Sequence, residues 1–149
     1  PVDRAAAFAA LEKVHALHLA NQRYTALSGG QRQLILIARA ICQAAEVFVM
    51  DEPAANLDYA NHQLLMEVIA GLAAQGYCVV MSTHSPEHPF SVGSLALLMK
   101  DGAVAGFGPP REVITPERLQ AVYGIEMDVV AVHDRYGRER TICLPVSRG

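Results

Sequence analysis

VFVMDE, residues 47–52, is a run of four apolar residues that ends directly in two acids. A short, wholly apolar run of this kind is typical of a parallel strand that is buried on both faces. Residues 78–81, CVVM, form a second such run, and residues 59–75 between them predict a helix that ends at Gly76. The order strand, helix, strand implies an α/β fold with at least one parallel pair of strands.

Two further helices are predicted ahead of this unit. Residues 3–17 carry apolar side chains at every third position, which is typical of an amphipathic helix. The polar stretch 21–25 separates this helix from a second one over residues 29–43. Ser28 and Gln31 have the spacing of a capping box, in which each side chain binds the other residue's backbone N–H. The first third of the chain is therefore predicted to be mainly helical.

Smaller elements are predicted after the second apolar run. Residues 95–107 have the pattern of a hairpin, with its turn at the sequence KDG, residues 100–102. The remaining predicted elements are short helices over residues 111–113 and 116–122, and a small antiparallel pair over residues 126–132 and 141–146.

The composition excludes several classes of protein. The 149 residues are 52% hydrophobic and 18% charged, which excludes intrinsic disorder and permits a sizeable buried core. No stretch approaches the roughly 18 apolar residues of a membrane span. The net charge of −3 argues against nucleic acid as a partner, because nucleic-acid binders carry a basic surface. Cys42, Cys78 and Cys143 fit neither a disulfide framework nor a zinc site, which favours a reducing compartment.

The first motif with chemical meaning is LSGGQ, residues 27–31, at the start of the second predicted helix. Its two glycines leave backbone N–H groups uncovered at the positive end of the helix dipole, where phosphate binds well. The alternative is an ordinary capped helix start, and these residues alone favour neither interpretation.

The second group of candidate residues follows the two predicted strands. Asp51 and Glu52 come directly after the first strand, and His84 ends the motif VVMSTH, residues 79–84. Ligands of α/β sheets bind at the carboxyl ends of the strands. Asp51 is therefore a candidate ligand of Mg²⁺, and Glu52 is a candidate base that polarises an attacking water. The alternatives are two solvated acids at a strand end and a structural histidine.

Residues 84–88, HSPEH, also match the inverted zinc-protease pattern H-x-x-E-H. That chemistry requires both histidines on one face of a helix. A helix that starts at Pro86 does not include His84, so zinc catalysis is disfavoured.

Together these motifs resemble the C-terminal part of an ATP-binding-cassette (ABC) ATPase. Residues 27–31 match the family's signature motif, LSGGQ, without substitution, and residues 47–52 match the Walker B strand with its catalytic glutamate. Residues 56–58, NLD, match the end of the D-loop, and His84 matches the switch histidine. All four motifs lie in the family's order, and the resemblance covers nearly the whole chain.

The resemblance implies an incomplete P-loop NTPase-like, three-layer α/β core of the ABC type, with part of the helical subdomain and a small C-terminal β pair. Residues 1–43 would form the helical subdomain with the signature motif, and residues 44–149 would carry the Walker B, D-loop, switch-histidine and C-terminal segments. A Walker A motif, G-x-x-x-x-G-K-[ST], is absent, because neither Lys13 nor Lys100 follows a glycine. We therefore expect the chain to be inactive alone and to leave one edge of the strand over residues 78–83 unpaired.

The same resemblance implies ATP and Mg²⁺ as cofactors and a head-to-tail dimer with a second ATP-binding subunit. The signature residues would face the nucleotide that the partner's P-loop holds, and the D-loop would couple the two sites. The implied site residues are Glu52 and His84 as catalytic residues, Asp51 as the Mg²⁺ ligand, Asp58 in the D-loop, and Ser28, Gly29, Gly30 and Gln31 in the signature.

The C-terminal segments resemble a particular group within this family. KDG at 100–102, GFGPP at 106–110 and LQAVYG at 119–124 are similar to the metal-chelate importers, which take up iron-siderophores, haem and cobalamin. This resemblance implies an integral membrane permease as partner, a substrate-binding protein as an indirect one, and a peripheral place on the cytoplasmic face of the plasma membrane. The alternative is a soluble ABC ATPase that acts on DNA or translation. The compact spacing between signature and Walker B favours transport.

Overall fold

The structure, a computed structural model, describes residues 2–147. It divides into two compact units, with the boundary between Thr83 and His84. The division inferred from the sequence, into a helical subdomain up to residue 43 and a remainder, stays a prediction.

The first unit contains the strand–helix–strand core that the sequence predicts. In chain order its main elements are α1 (Val2–Lys13), α2 (Gly29–Cys42), β1 (Val47–Met50), α3 (Tyr59–Ala74) and β2 (Cys78–Met81), with 3₁₀ turns at Leu17–Leu19 and Tyr24–Ala26. β1 and β2 pair in parallel, from Val47 opposite Cys78 to Met50 opposite Met81, which confirms the predicted parallel pair. No helix in the described part of the chain has both the length and the apolar character that a bilayer crossing requires.

The first helix ends earlier than predicted. α1 stops at Lys13, and His15 adopts a left-handed conformation with φ of 56°. The backbone N–H of Ala16 then donates a hydrogen bond to the Leu11 carbonyl over 2.8 Å. Ala16 is fully buried although it lies outside the helix. Of the apolar positions beyond Lys13, Val14 is buried in this turn, whereas Leu17 is 43% exposed and lies in a separate 3₁₀ turn.

The prediction that both apolar runs form strands buried on both faces is wrong for this chain. β2 has exposed residues at Cys78 and Val80 and only half-buried ones between and after them, and β1 is buried on one face only. Phe48 and Met50 are 5% and 8% exposed, whereas Val47 and Val49 are 55% and 79% exposed. Successive side chains of a strand point to opposite faces, and no described residue covers the face with Val47 and Val49. Within residues 2–147 the sheet consists of β1 and β2 alone, and no described strand pairs with the outer edge of β2.

The second unit combines short helices with two antiparallel hairpins. Its elements are α4 (His88–Val92), β3 (Ala96–Lys100), β4 (Ala103–Gly108), α5 (Pro110–Val113), α6 (Pro116–Tyr123), β5 (Met127–His133) and β6 (Glu139–Pro145). β3 pairs with β4, and β5 pairs with β6, which confirms both predicted hairpins. Asp101 and Gly102 have φ of 50° and 77°, the conformation that a two-residue hairpin turn requires.

The core of the second unit explains why its short helices form. It consists of Ala96, Leu98, Val113, Ile114, Leu119, Met127 and Cys143. Val113 and Leu119 are each 1% exposed, so α5 and α6 are held mainly by apolar contacts with the hairpins. α5 and α6 confirm the two predicted short helices, whereas α4 was not predicted, because the prolines at 86 and 89 mask its helical pattern.

Candidate functional site

The LSGGQ segment forms the capping box that its sequence predicts. Ser28 is the N-cap of α2, and its side-chain oxygen accepts a hydrogen bond from the Gln31 backbone N–H over 3.3 Å. In return the Ser28 backbone N–H donates to Oε1 of Gln31 over 2.9 Å. Ser28 and Gly29 are exposed, whereas Gly30 is buried and the N–H groups of Ser28 and Gln31 are taken by the capping box. The capped helix start is therefore present, and phosphate binding at this surface stays a prediction.

The capping box provides a direct test of what Ser28 contributes to folding. We expect Ser28→Ala to lower the free energy of unfolding by about 1 kcal/mol, because the Gln31 N–H loses its side-chain acceptor. Urea unfolding of the 149-residue chain measures this difference, with Ser94→Ala, at an exposed loop serine, as the matched control. An unfolding free energy equal to that of the parent chain would mean that the cap contributes nothing.

The signature segment and the D-loop segment contact each other. Gly30 is buried, and a Cβ atom added to it would lie 2.7 Å from both Cβ and Cγ of Asn61 in α3. Any side chain at position 30 therefore forces α2 and α3 apart. A Cβ atom added to Gly29 would lie 3.9 Å from the Leu57 side chain, which is ordinary van der Waals contact and needs no movement. The structure thus brings together two motifs that α2 and β1 separate in the sequence.

Asp58 caps α3 and fixes the side chain of Asn61. Its Oδ1 accepts from the Asn61 backbone N–H over 2.8 Å, and its Oδ2 accepts from Nδ2 of Asn61 over 2.7 Å. These hydrogen bonds, the backbone one above all, hold the pKa of the Asp58 carboxyl below its usual value. Asp58 is therefore ionised at neutral pH and serves its own helix as an N-cap. A coupling role across a dimer interface stays a prediction.

The two acids lie at the carboxyl end of β1, as predicted. Ser82, the residue after β2, joins them through its hydroxyl group. That hydroxyl donates a hydrogen bond to Oδ1 of Asp51 and accepts one from the Glu52 backbone N–H over 2.9 Å. Oδ2 of Asp51 forms no hydrogen bond with any described residue, and Asp51 is exposed. A hard divalent cation prefers oxygen ligands of this kind, so the exposed carboxylate fits Mg²⁺.

The backbone at Glu52 has an unusual conformation. Its φ is 41°, in the left-handed region that residues with a side chain adopt rarely. Asn56, four residues further on, has φ of 62°, which asparagine tolerates more readily. Such conformations cost free energy and tend to occur at functional sites. His15 and Asp101 have the same conformation in ordinary turns, so the left-handed backbone is compatible with a functional role for Glu52 and does not by itself distinguish it from a solvated acid at a strand end.

His84 begins the second unit, and its backbone is held from within that unit. The Tyr123 hydroxyl donates a hydrogen bond to the His84 carbonyl oxygen over 3.0 Å. Burial raises the pKa of Tyr123, so its hydroxyl is protonated and able to donate at neutral pH. That His84 shares a site with the two acids stays a prediction. His84 also lies four residues before α4 begins at His88, so the H-x-x-E-H pattern does not place both histidines on one helix.

Sequence reasoning did not assign a role to Ser82. Ser82 lies inside the motif VVMSTH, in which the histidine is the more obvious candidate for a chemical role. A polar residue directly after an apolar run that predicts a strand, like the acids that follow the neighbouring run, is the signal that points to it. The contact itself joins residues 30 and 31 positions apart, which no local pattern reveals.

Comparison with known proteins gives a consistent result. The profile of a family described as ABC transporter matches residues 2–55, a segment that includes the LSGGQ motif and both acids. The chain is 38% identical over 126 residues to the molybdate import ATP-binding protein MolC of Haemophilus influenzae, which covers 84% of this chain and 49% of that protein. It is 35% identical over 131 residues to the hemin import ATP-binding protein HmuV of Bordetella parapertussis, which covers 82% and 50%.

A solved structure extends the similarity to the fold. A metal-chelate type ABC transporter in an inward-facing conformation superposes with a TM-score of 0.88 and 32% sequence identity. The superposition covers 97% of this chain and 57% of that one. The chain spans about half the length of the curated relatives it matches.

Proposed function

Because this chain belongs to the family of ABC transporter ATP-binding proteins, we propose that it is part of the subunit that hydrolyses ATP to drive an importer. The observation that carries the proposal is the end of β1, where Asp51 and Glu52 lie side by side and Glu52 has a left-handed backbone. An acid in a costly conformation beside a carboxylate suited to a cation is an arrangement that phosphoryl transfer uses.

In the proposed reaction, Glu52 orients the attacking water and accepts its proton. A carboxylate does this well, because it is an acceptor of hydrogen bonds when ionised. Asp51 would hold Mg²⁺, which, when bound, neutralises charge on the phosphate oxygens. His84 would contact the γ-phosphate and sense its presence. These roles follow from the match of each residue to the family's motifs.

The signature residues act on the nucleotide of a second subunit in this proposal. Ser28 and Gly29 are exposed at the start of α2, where the helix dipole and the N–H group of Gly29, which the capping box does not use, favour an anion. In a head-to-tail dimer this surface faces the γ-phosphate that the partner's P-loop holds. Asp58 lies beside it through the Gly30–Asn61 contact, so a D-loop link between the two sites starts from the same surface.

The cargo proposed for the importer is a metal chelate or a related substrate. The similar proteins are named for import of molybdate and hemin, and the similar structure is a transporter of metal-chelate type. The remaining partners are an integral membrane permease and, through it, a substrate-binding protein. In this arrangement the subunit is peripheral, on the cytoplasmic face of the plasma membrane.

The proposal predicts that the 149-residue chain does not hydrolyse ATP. It contains no Walker A motif to cradle the phosphates, and phosphoryl transfer depends on positioning and charge stabilisation. A restored subunit, in which a segment with a Walker A motif precedes this chain, is expected to hydrolyse ATP. A phosphate-release assay on both proteins makes the comparison. Release by the 149-residue chain that is lost in Glu52→Gln would contradict the prediction.

A soluble ABC ATPase that acts on DNA or translation is the alternative function. Such an ATPase has the same signature, Walker B motif and switch histidine, so the site residues do not distinguish it from an importer subunit. The net charge of −3 and the importers among the similar proteins favour transport. ATPase activity of the restored subunit that rises with a permease, and not with DNA or ribosomes, supports the importer.

A further inference from the structure

Ser82 forms hydrogen bonds with three consecutive residues at the end of β1. Its backbone N–H donates to the Met50 carbonyl over 2.9 Å, which continues the β1–β2 ladder by one step. Its hydroxyl donates to Oδ1 of Asp51 and accepts from the Glu52 N–H over 2.9 Å. Ser82, the residue directly after β2, thereby holds the turn that contains Asp51 and Glu52.

We propose that Ser82 is a positioning residue that orients both Asp51 and Glu52 for ATP hydrolysis. The proposal rests on the proposed function, since it concerns the acids of that same site. Ser82 is not itself a catalytic residue, because it acts through the two acids.

A hydroxyl suits this position because it donates one hydrogen bond and accepts others at the same time. Its donation to Oδ1 of Asp51 restricts rotation of that carboxylate and leaves Oδ2 for a cation. Ionised carboxylates that hold a metal are commonly oriented by such outer hydrogen bonds.

The second hydrogen bond acts on the backbone of Glu52. A left-handed conformation is costly for glutamate, and it persists only where the surroundings determine it. The hydrogen bond that the Glu52 N–H donates to Oγ of Ser82 helps to hold this conformation, because it ties the Glu52 backbone to the residue that follows β2. Loss of the acceptor therefore lets the Glu52 backbone relax and moves its carboxylate away from the attacking water.

Two substitutions at position 82 distinguish this positioning role from a general effect on the fold. Alanine at 82 removes both hydroxyl bonds and keeps the backbone bond to Met50, whereas threonine keeps a hydroxyl in the same place. Ser82 is exposed, so the extra methyl group of threonine has room. Ser94→Ala removes a hydroxyl from an exposed serine elsewhere in the chain and is the matched control.

In the restored subunit we expect Ser82→Ala to lower kcat about 10- to 100-fold and to raise the Mg²⁺ concentration for half-maximal rate, with little change in the KM for ATP. Ser82→Thr is expected to restore both values, and Ser94→Ala to change neither. A loss of kcat that threonine does not rescue would overturn the proposal, because the hydroxyl would then be irrelevant. A fall in kcat with no change in the Mg²⁺ concentration for half-maximal rate would mean that Ser82 does not orient Asp51.

A second measurement does not depend on activity. Amide hydrogen exchange at Glu52 in the 149-residue chain is expected to be slowed by the bond to Oγ of Ser82 and to quicken in Ser82→Ala but not in Ser82→Thr. Equal exchange rates in all three chains would overturn the proposal. If Ser82→Ala retains full turnover while Glu52→Gln is inactive, the positioning role fails and the proposed function stands. If Glu52→Gln turns over normally, the proposed function itself fails.

Discussion

Glu52→Gln in the restored subunit is expected to lower ATP turnover by about a hundred- to ten-thousand-fold while ATP still binds. The amide keeps the size of the carboxylate but is a very poor proton acceptor, so the attacking water keeps its proton. The backbone bond from Glu52 N–H to Ser82 does not involve the side chain, so the left-handed turn is expected to survive the substitution. The loss therefore reports on chemistry rather than on folding.

Because hydrolysis is blocked after binding, the ATP-bound closed dimer of Glu52→Gln is expected to accumulate on gel filtration. Nucleotide binding and phosphate release, measured on the same preparation, separate the two steps. Glu46→Gln makes the same chemical change at an exposed glutamate just ahead of β1 and is the matched control. Normal turnover by Glu52→Gln would mean that another group accepts the proton.

The elements of this fold were predictable where a local pattern decides them. The apolar runs that became β1 and β2 and the Ser28–Gln31 capping box all follow from residues close in sequence. α1 shows the limit of such patterns, since an apolar residue at every third position fixes neither where the helix ends nor which residues are buried: Leu17, the last of them, is 43% exposed. Ala16 is buried in a turn after the helix has ended at Lys13.

The parts of the site that sequence did not predict are long-range contacts. Ser82 meets Asp51 and Glu52 only because β2 pairs with β1 in one register. Gly30 requires its lack of a side chain because Asn61, 31 positions later, lies against it. The two-sided burial predicted for β1 is wrong for a related reason. Apolar residues on both faces of a strand show that each face is suited to burial, but the residues that bury a face come from distant parts of a sequence.

Ser28→Arg tests whether the signature acts on a partner's nucleotide. In the restored subunit we expect dimer-dependent hydrolysis to fall on the order of a hundredfold or more, because a bulky side chain fills the space of the γ-phosphate and covers the N–H groups that face it. ATP affinity of the isolated subunit is expected to remain nearly unchanged, since the subunit's own P-loop holds that nucleotide. Ser28 is exposed at the start of α2, so a long side chain extends from the surface without entering the core.

Ser28→Ala is the matched control for this substitution, because both variants lose the bond from the Gln31 N–H to Oγ of Ser28. An effect of the lost cap therefore appears in both, whereas obstruction of the phosphate appears in Ser28→Arg alone. Nucleotide binding, unfolding free energy and turnover are measured on the two variants in parallel. If ATP binding by the isolated subunit falls together with turnover, the signature serves its own nucleotide. If turnover is unchanged in Ser28→Arg, the surface at the start of α2 does not meet a phosphate, and the head-to-tail arrangement loses its main support.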